Sequence, residues 1–182
     1  ATNGVFLDSQ YRNIDILLRQ ARNVVFSFDS PFKETYESIR RGADYNRVID
    51  NMIFFQKYRN ALPADKKPSF CIAMVLMKRN LDEVLPMLEF AKKVCVDHLS
   101  ISHMVVYTGE MEKESVHDMK EEVNTVLAKA VVKACEMQLS LSIPPLYVIE
   151  KEESNNLIKK QGEGADIKSA EEIKKSCFFL WE

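Results

Sequence analysis

The sequence predicts an α/β domain built on a parallel sheet. Three observations carry that expectation. Near-continuous apolar runs stand at 23–29, 69–77, 98–107 and 139–149. Between them lie stretches with apolar residues at helical spacing. The first three runs recur at a spacing of roughly 35 residues, the length that a helical crossover between parallel strands requires.

In chain order, Tyr11, Ile14, Leu17, Leu18 and Ala21 share one face of a helix over 9–21, with Asp8 as its N-cap. "NVVFSFD" (23–29) is a short strand. "ETYESIR" and "NRVIDNMIFFQKYRNAL" are helical on either side of a break at Gly42, and "PADKKP" (63–68) is a loop by its prolines and charges. "SFCIAMVLM" (69–77) is the second strand. Asn80 then starts a helix as N-cap, with Glu83 completing a capping box and Val84, Leu88, Ala91 and Cys95 facing inward. "HLSISHMVVY" (98–107) is the third strand. A helix over about 112–137 buries Met119, Val123, Val126, Leu127, Ala130, Val131, Ala134 and Met137. "LSLSIPPLYVI" (139–149) is a fourth strand, interrupted by Pro144 and Pro145. The solid apolar runs read as parallel strands covered on both faces. After residue 150 the composition turns charged, with Gly162, Gly164 and a short helix over about 168–176, before the apolar end "CFFLWE". The first residue is Ala1, as expected of a processed chain or a fragment.

The 182 residues suffice for one domain with a real core, and 46% hydrophobic with 29% charged residues and a net charge of −2 is an ordinary soluble balance. Nothing in the charge pattern implies a nucleic-acid or membrane partner. Cys71, Cys95, Cys135 and Cys177 form no C-x-x-C pair; the first three read as small buried hydrophobes, which fits a reducing, cytoplasmic compartment. The five glycines make no phosphate loop, and His98 and His103 lie five apart on one strand, on opposite faces. Ligands of parallel α/β sheets bind at the carboxyl ends of the strands, where Ser27 and Asp29 stand. Two readings remain open there: a ligand edge, or the turn that Asp29, Ser30 and Pro31 make into the next helix.

Four pieces, in order, resemble the radical S-adenosylmethionine (radical SAM) enzymes with a C-terminal auxiliary iron–sulfur domain of the SPASM or twitch type. "TNG" (Thr2-Asn3-Gly4) is similar to the end of that family's third strand. "SFDSPFKETYESIRRGADYNRVIDNM" resembles the long run after its fourth strand, and "MVLMKRNLDEV" its fifth strand. "CFFLW" from Cys177 is similar to the C-x-x-P-W opening of the auxiliary domain, with Leu180 in place of proline. The resemblance implies a parallel-stranded partial (β/α) TIM-like barrel, of which residues 1–149 hold about the C-terminal half of a (β/α)6 core. Residues 150–182 are then a linker and the start of the auxiliary domain.

The resemblance also implies roles. Ser27 contacts the ribose or methionine part of S-adenosylmethionine. Asp29 shapes the polar end of the site. Arg40 pairs with the methionyl carboxylate or forms a structural salt bridge. Asn80 is a cofactor contact or simply a cap. Asn3 sits at the tip of the third strand, and Cys177 is the first ligand of an auxiliary cluster in the intact protein. The radical-generating [4Fe–4S] cluster needs C-x-x-x-C-x-x-C, which this sequence lacks. The implied parent is an oxidoreductase that cleaves S-adenosylmethionine to a 5′-deoxyadenosyl radical and acts on a peptide or protein side chain. This chain alone is expected to be inactive and to bind neither cofactor. A half barrel also exposes two sheet edges, through which it would form a homodimer. The rival reading is a non-catalytic α/β module that binds a small molecule or a protein.

Overall fold

A computed structural model describes residues 1–4 and 20–149. Residues 9–19 of the helix expected over 9–21, the stretch 150–182 and Cys177 lie outside the described residues. The chain divides into two units, Ala1–Val148 and Ile149–Glu182, and all that follows concerns the first.

Strand β1 (Asn23–Ser27) leads through Pro31 into helix α1 (Lys33–Ile39) and, after Gly42, helix α2 (Tyr45–Asn60). The break at Gly42 is a left-handed turn with φ of 81°, which glycine adopts without a Cβ penalty. Asp44 then caps α2 by accepting from the Arg47 N–H at 3.2 Å. Strand β2 (Ser69–Leu76), helix α3 (Val84–Lys93) and strand β3 (His98–His103) follow, then the short helix α4 (Gly109–Glu112), helix α5 (Lys120–Glu136) and strand β4 (Ser140–Ser142).

The four strands are parallel and lie in the order β1-β2-β3-β4. Because neighbours in sequence are neighbours in the sheet, right-handed crossovers carry every connecting helix over the same face. Burial follows from this. Val24, Phe26, Phe70, Ile72, Met74, Leu76, Leu99 and Ile101 are buried, while the alternate residues Val25, Ser27, Cys71, Ala73, Val75, His98 and Ser100 are half-buried. The expectation of strands covered on both faces is therefore corrected: among the described residues, one face is packed and the other is open. On the packed face, Phe26, Phe55 and Phe70 meet edge-on or tilted at centroid distances of 5.3–5.7 Å. Phe28 stacks on Phe90 at 5.0 Å and lies 4.7 Å from Tyr36.

Other expectations are corrected in detail. The third strand ends at His103, not Tyr107, and the fourth ends at Ser142, just before prolines that cannot donate to a ladder. The helix expected over about 112–137 begins only at Lys120, as α5; the short helix α4 precedes it, with Ser115 and Val116 buried between them. In α5 the buried stripe is Val123, Leu127, Ala130 and Ala134. Cys95 and Cys135 are exposed and Cys71 is half-buried, so they are not the buried hydrophobes expected. Cys95 falls beyond the end of α3, at a positive φ of 55°, and so drops off the helix face assigned to it. Among the described residues no helix is long and apolar enough to cross a membrane.

Candidate functional site

The strand ends place the polar residues singled out in the sequence. Thr2 pairs in parallel with Phe26: its N–H donates to the Val25 carbonyl, and the Ser27 N–H donates to the Thr2 carbonyl, both at 2.8 Å. Thr2-Asn3-Gly4 therefore runs beside the carboxyl end of β1. The Gly4 N–H returns to Thr2 Oγ1 at 3.1 Å, and the buried Asn51 amide donates to the Gly4 carbonyl at 2.6 Å. A side chain at Gly4 would meet Phe26 at 2.9 Å and Val48 at 3.1 Å, so bare backbone is required there. Asn3 is exposed at this tip.

Ser27 ends β1 on the open face. In register with it run Ala73, Ser100 and Ser142, a row of small side chains across all four strands. The row nearer the amino ends of the strands is Val25, Cys71, His98 and Ser140, with His98 Nδ1 2.8 Å from Ser140 Oγ. Burial holds the His98 imidazole below its ordinary value and pushes the Cys71 thiol above its own, so both favour their neutral forms.

Asp29, Arg40 and Asn80 come together as one brace. β1 leaves the sheet at Ser27, and the carboxylate of Asp29 takes over its pairing: Oδ1 accepts the Val75 N–H at 2.9 Å. Asp29 is 2% exposed, and its Oδ2 lies 2.7 Å from Arg40 Nε, an ion pair without the alignment of a good hydrogen bond. The two charges offset each other where an isolated buried carboxylate would be costly. Asn80 is fully buried. Its amide donates to the carbonyls of Asp29 (2.8 Å) and Val75 (2.9 Å), and its oxygen accepts the Met77 N–H at 2.8 Å.

Asn80 therefore does not start the helix that follows. It closes a 3-10 turn over Lys78–Asn80, and Glu83 takes the N-cap position of α3. The Glu83 side chain is spent on another connection, accepting from Thr35 Oγ1 at 2.6 Å. Beside the brace, the fully buried Tyr36 hydroxyl has no hydrogen-bond partner among the described residues. Burial raises its pKa, against the opposing pull of the Arg40 charge.

Two groups at the strand ends escaped the sequence reading. Arg79, just past β2, grips both carboxylate oxygens of Glu114 and donates to Ser38 Oγ at 3.3 Å. At the end of β3, the His103 ring lies tilted against Tyr147 at 4.6 Å, and its Nε2 lies 3.0 Å from the Pro145 carbonyl. Asn124 of α5 pairs with both the N–H and the carbonyl of Tyr147 at 2.9 Å, tying the residues after β4 to that helix. No periodicity marks these residues, because each partner comes from a distant part of the chain. Among the described residues no three His, Cys, Asp or Glu side chains converge to hold a metal.

No protein-family model matches the chain. Its fold is similar to that of Streptococcus suis SuiB bound to S-adenosylmethionine, with a TM-score of 0.60 and 14% sequence identity, covering 79% of this chain and 32% of that one. SuiB bound to precursor peptide SuiA matches with a TM-score of 0.52 and 13% identity, over 79% and 30% of the two chains. By sequence, the chain is 31% identical over 96 residues to an uncharacterized protein of Archaeoglobus fulgidus, covering 52% of this chain and 21% of that protein. The chain thus spans about a third of the solved structures and a fifth of the curated relative. The likeness to SuiB is one of fold: four parallel strands alternate with helices in this chain, and the match covers about a third of SuiB.

Proposed function

We propose that these residues form one wall of the active site of a radical SAM enzyme that modifies a peptide or protein side chain. One observation carries the reading: Thr2-Asn3-Gly4, Ser27 and the Asp29–Arg40 pair gather at the carboxyl ends of parallel strands, in a fold similar to that of SuiB. SuiB has been crystallised with S-adenosylmethionine and with a precursor peptide, which supports a peptide as the substrate class here.

In this reading the Ser27 hydroxyl both donates to and accepts from the ribose or methionine part of S-adenosylmethionine. Small neighbours in its row leave room above the sheet. Arg40 spends Nε on Asp29, and its remaining guanidinium N–H groups would pair with the methionyl carboxylate. Asp29 and Asn80 hold the strand ends in place. When bound, S-adenosylmethionine would supply radical chemistry for hydrogen-atom abstraction from the substrate. The residues present do not fit the [4Fe–4S] cluster that generates it: the 182 residues hold no C-x-x-x-C-x-x-C. Its ligands come from elsewhere in the parent protein, and this chain alone is inactive. In the same reading residues 150–182 lead into an auxiliary-cluster domain with Cys177 as first ligand, and the site works in the cytoplasm. The outer edge of β4, unpaired among the described residues, is where two copies of the isolated chain would join.

The test uses the intact protein, purified without oxygen, loaded with iron and sulfide, reduced with dithionite and given S-adenosylmethionine. Chromatography should detect 5′-deoxyadenosine, at a rate cut at least tenfold by Ser27→Ala. A fully loaded cluster that yields no 5′-deoxyadenosine would refute the proposal and favour a non-catalytic binding module.

A further inference from the structure

The connection between β3 and α5 is long, and its two ends differ from its middle. Met104 at one end and Ser115 and Val116 at the other are buried. Between them, Val105 is 61% exposed and Tyr107 is 81% exposed. Thr108 caps the short helix α4 at this tip, with its Oγ1 3.4 Å from the Met111 N–H. A segment anchored at both ends, carrying apolar side chains that nothing among the described residues covers, has the build of a lid in its open position.

Its base is clasped to the end of β2. The Lys78 N–H donates to the Glu114 carbonyl at 2.9 Å, and the Arg79 guanidinium grips the Glu114 carboxylate with two nitrogens. Lys78 Nζ adds an ion pair to Asp118 at 2.7 Å. The third arm of Arg79 reaches Ser38, two residues before the Arg40 that pairs with Asp29. The clasp therefore ties the lid to the connection that follows β1 as well as the one that follows β2. The charges are partly exposed, Arg79 at 37% and Glu114 at 30%, and ion pairs of this kind are weak in water. A weak clasp at the base of a lid opens reversibly, whereas buried anchors do not.

We propose that residues 105–113 form a lid over the carboxyl ends of the strands, and that the Arg79–Glu114 clasp sets its position. The inference stands apart from the radical SAM reading, since it needs no cofactor.

Hydrogen exchange on the full chain tests it. Arg79→Ala and Glu114→Gln should each speed amide exchange within 105–113 about two- to fivefold, while β2 and α2 exchange as before. The double swap Arg79→Glu with Glu114→Arg should restore protection. Trypsin cleavage after Lys113 should follow the same order. Unchanged exchange in Arg79→Ala would overturn the proposal. So would a rise shared equally by the whole chain, which would mark Arg79 as a general stabilising contact.

Discussion

Replacing Asn80 separates a residue that builds the site from one that touches a ligand. The side chain is fully buried and makes three hydrogen bonds, to the Met77 N–H and the Asp29 and Val75 carbonyls, at 2.8–2.9 Å. Asn80→Ala removes all three and leaves their backbone partners without water to replace them. At about 1 kcal/mol net for each bond, with a further penalty for the orphaned Met77 N–H, the expected loss is about 3–4 kcal/mol. Asn80→Asp keeps the acceptor for Met77. It loses both donors, however, and sets a carboxylate against two carbonyl oxygens, so it should cost at least as much. Urea denaturation of the full chain, followed by far-ultraviolet circular dichroism, gives the free energies. A loss below about 1 kcal/mol in Asn80→Ala would refute the brace and return Asn80 to the cofactor-contact reading, in which a change in binding comes without a change in stability.

Three further outcomes follow from the same geometry. Asp29→Ala orphans the Val75 N–H and strips Arg40 of its counter-ion, and should cost about 3 kcal/mol in urea, whereas Asp29→Asn keeps the acceptor and should cost about half that. Gly4→Ala puts a Cβ 2.9 Å from Phe26 at a φ of +74°, and should cost about 2 kcal/mol, or roughly 4–8 °C in Tm by calorimetry. Burial holds the His98 imidazole below its ordinary value of 6.5 in the folded chain, so the unfolded chain takes up that proton first. Stability from His98 is therefore complete above the ordinary value and falls as pH drops toward the folded one. His98→Gln should flatten the stability profile below the ordinary imidazole value of 6.5, measured as urea midpoints.

Much of this architecture was legible in the sequence. Local chemistry decided it: apolar runs at Val24–Phe26 and Phe70–Leu76 marked the first two strands, Gly42 marked the break between α1 and α2, and the Val123–Ala134 spacing marked the buried stripe of α5. The placement of Ser27 and Asp29 at a strand's carboxyl end was readable for the same reason, since a strand's polarity is the chain's own direction.

The tertiary structure decided the rest. Whether a sheet face is packed or open depends on strand order, and the order β1-β2-β3-β4 left the small residues beside Ser27 uncovered among the described residues. The role of Asn80 depends on Asp29, 51 residues away, whose carbonyl it holds. The sequence around Asn80 is equally good as a helix cap, because Asn satisfies backbone groups in either setting. Arg79 with Glu114, and Asn124 with Tyr147, are contacts between distant parts of the chain that no periodicity announces. The sequence alone determined the elements and their direction, because those rest on neighbours within a few residues. Which polar side chains are spent on the fold, and which are left facing a ligand, was decided only when the ends of different strands met.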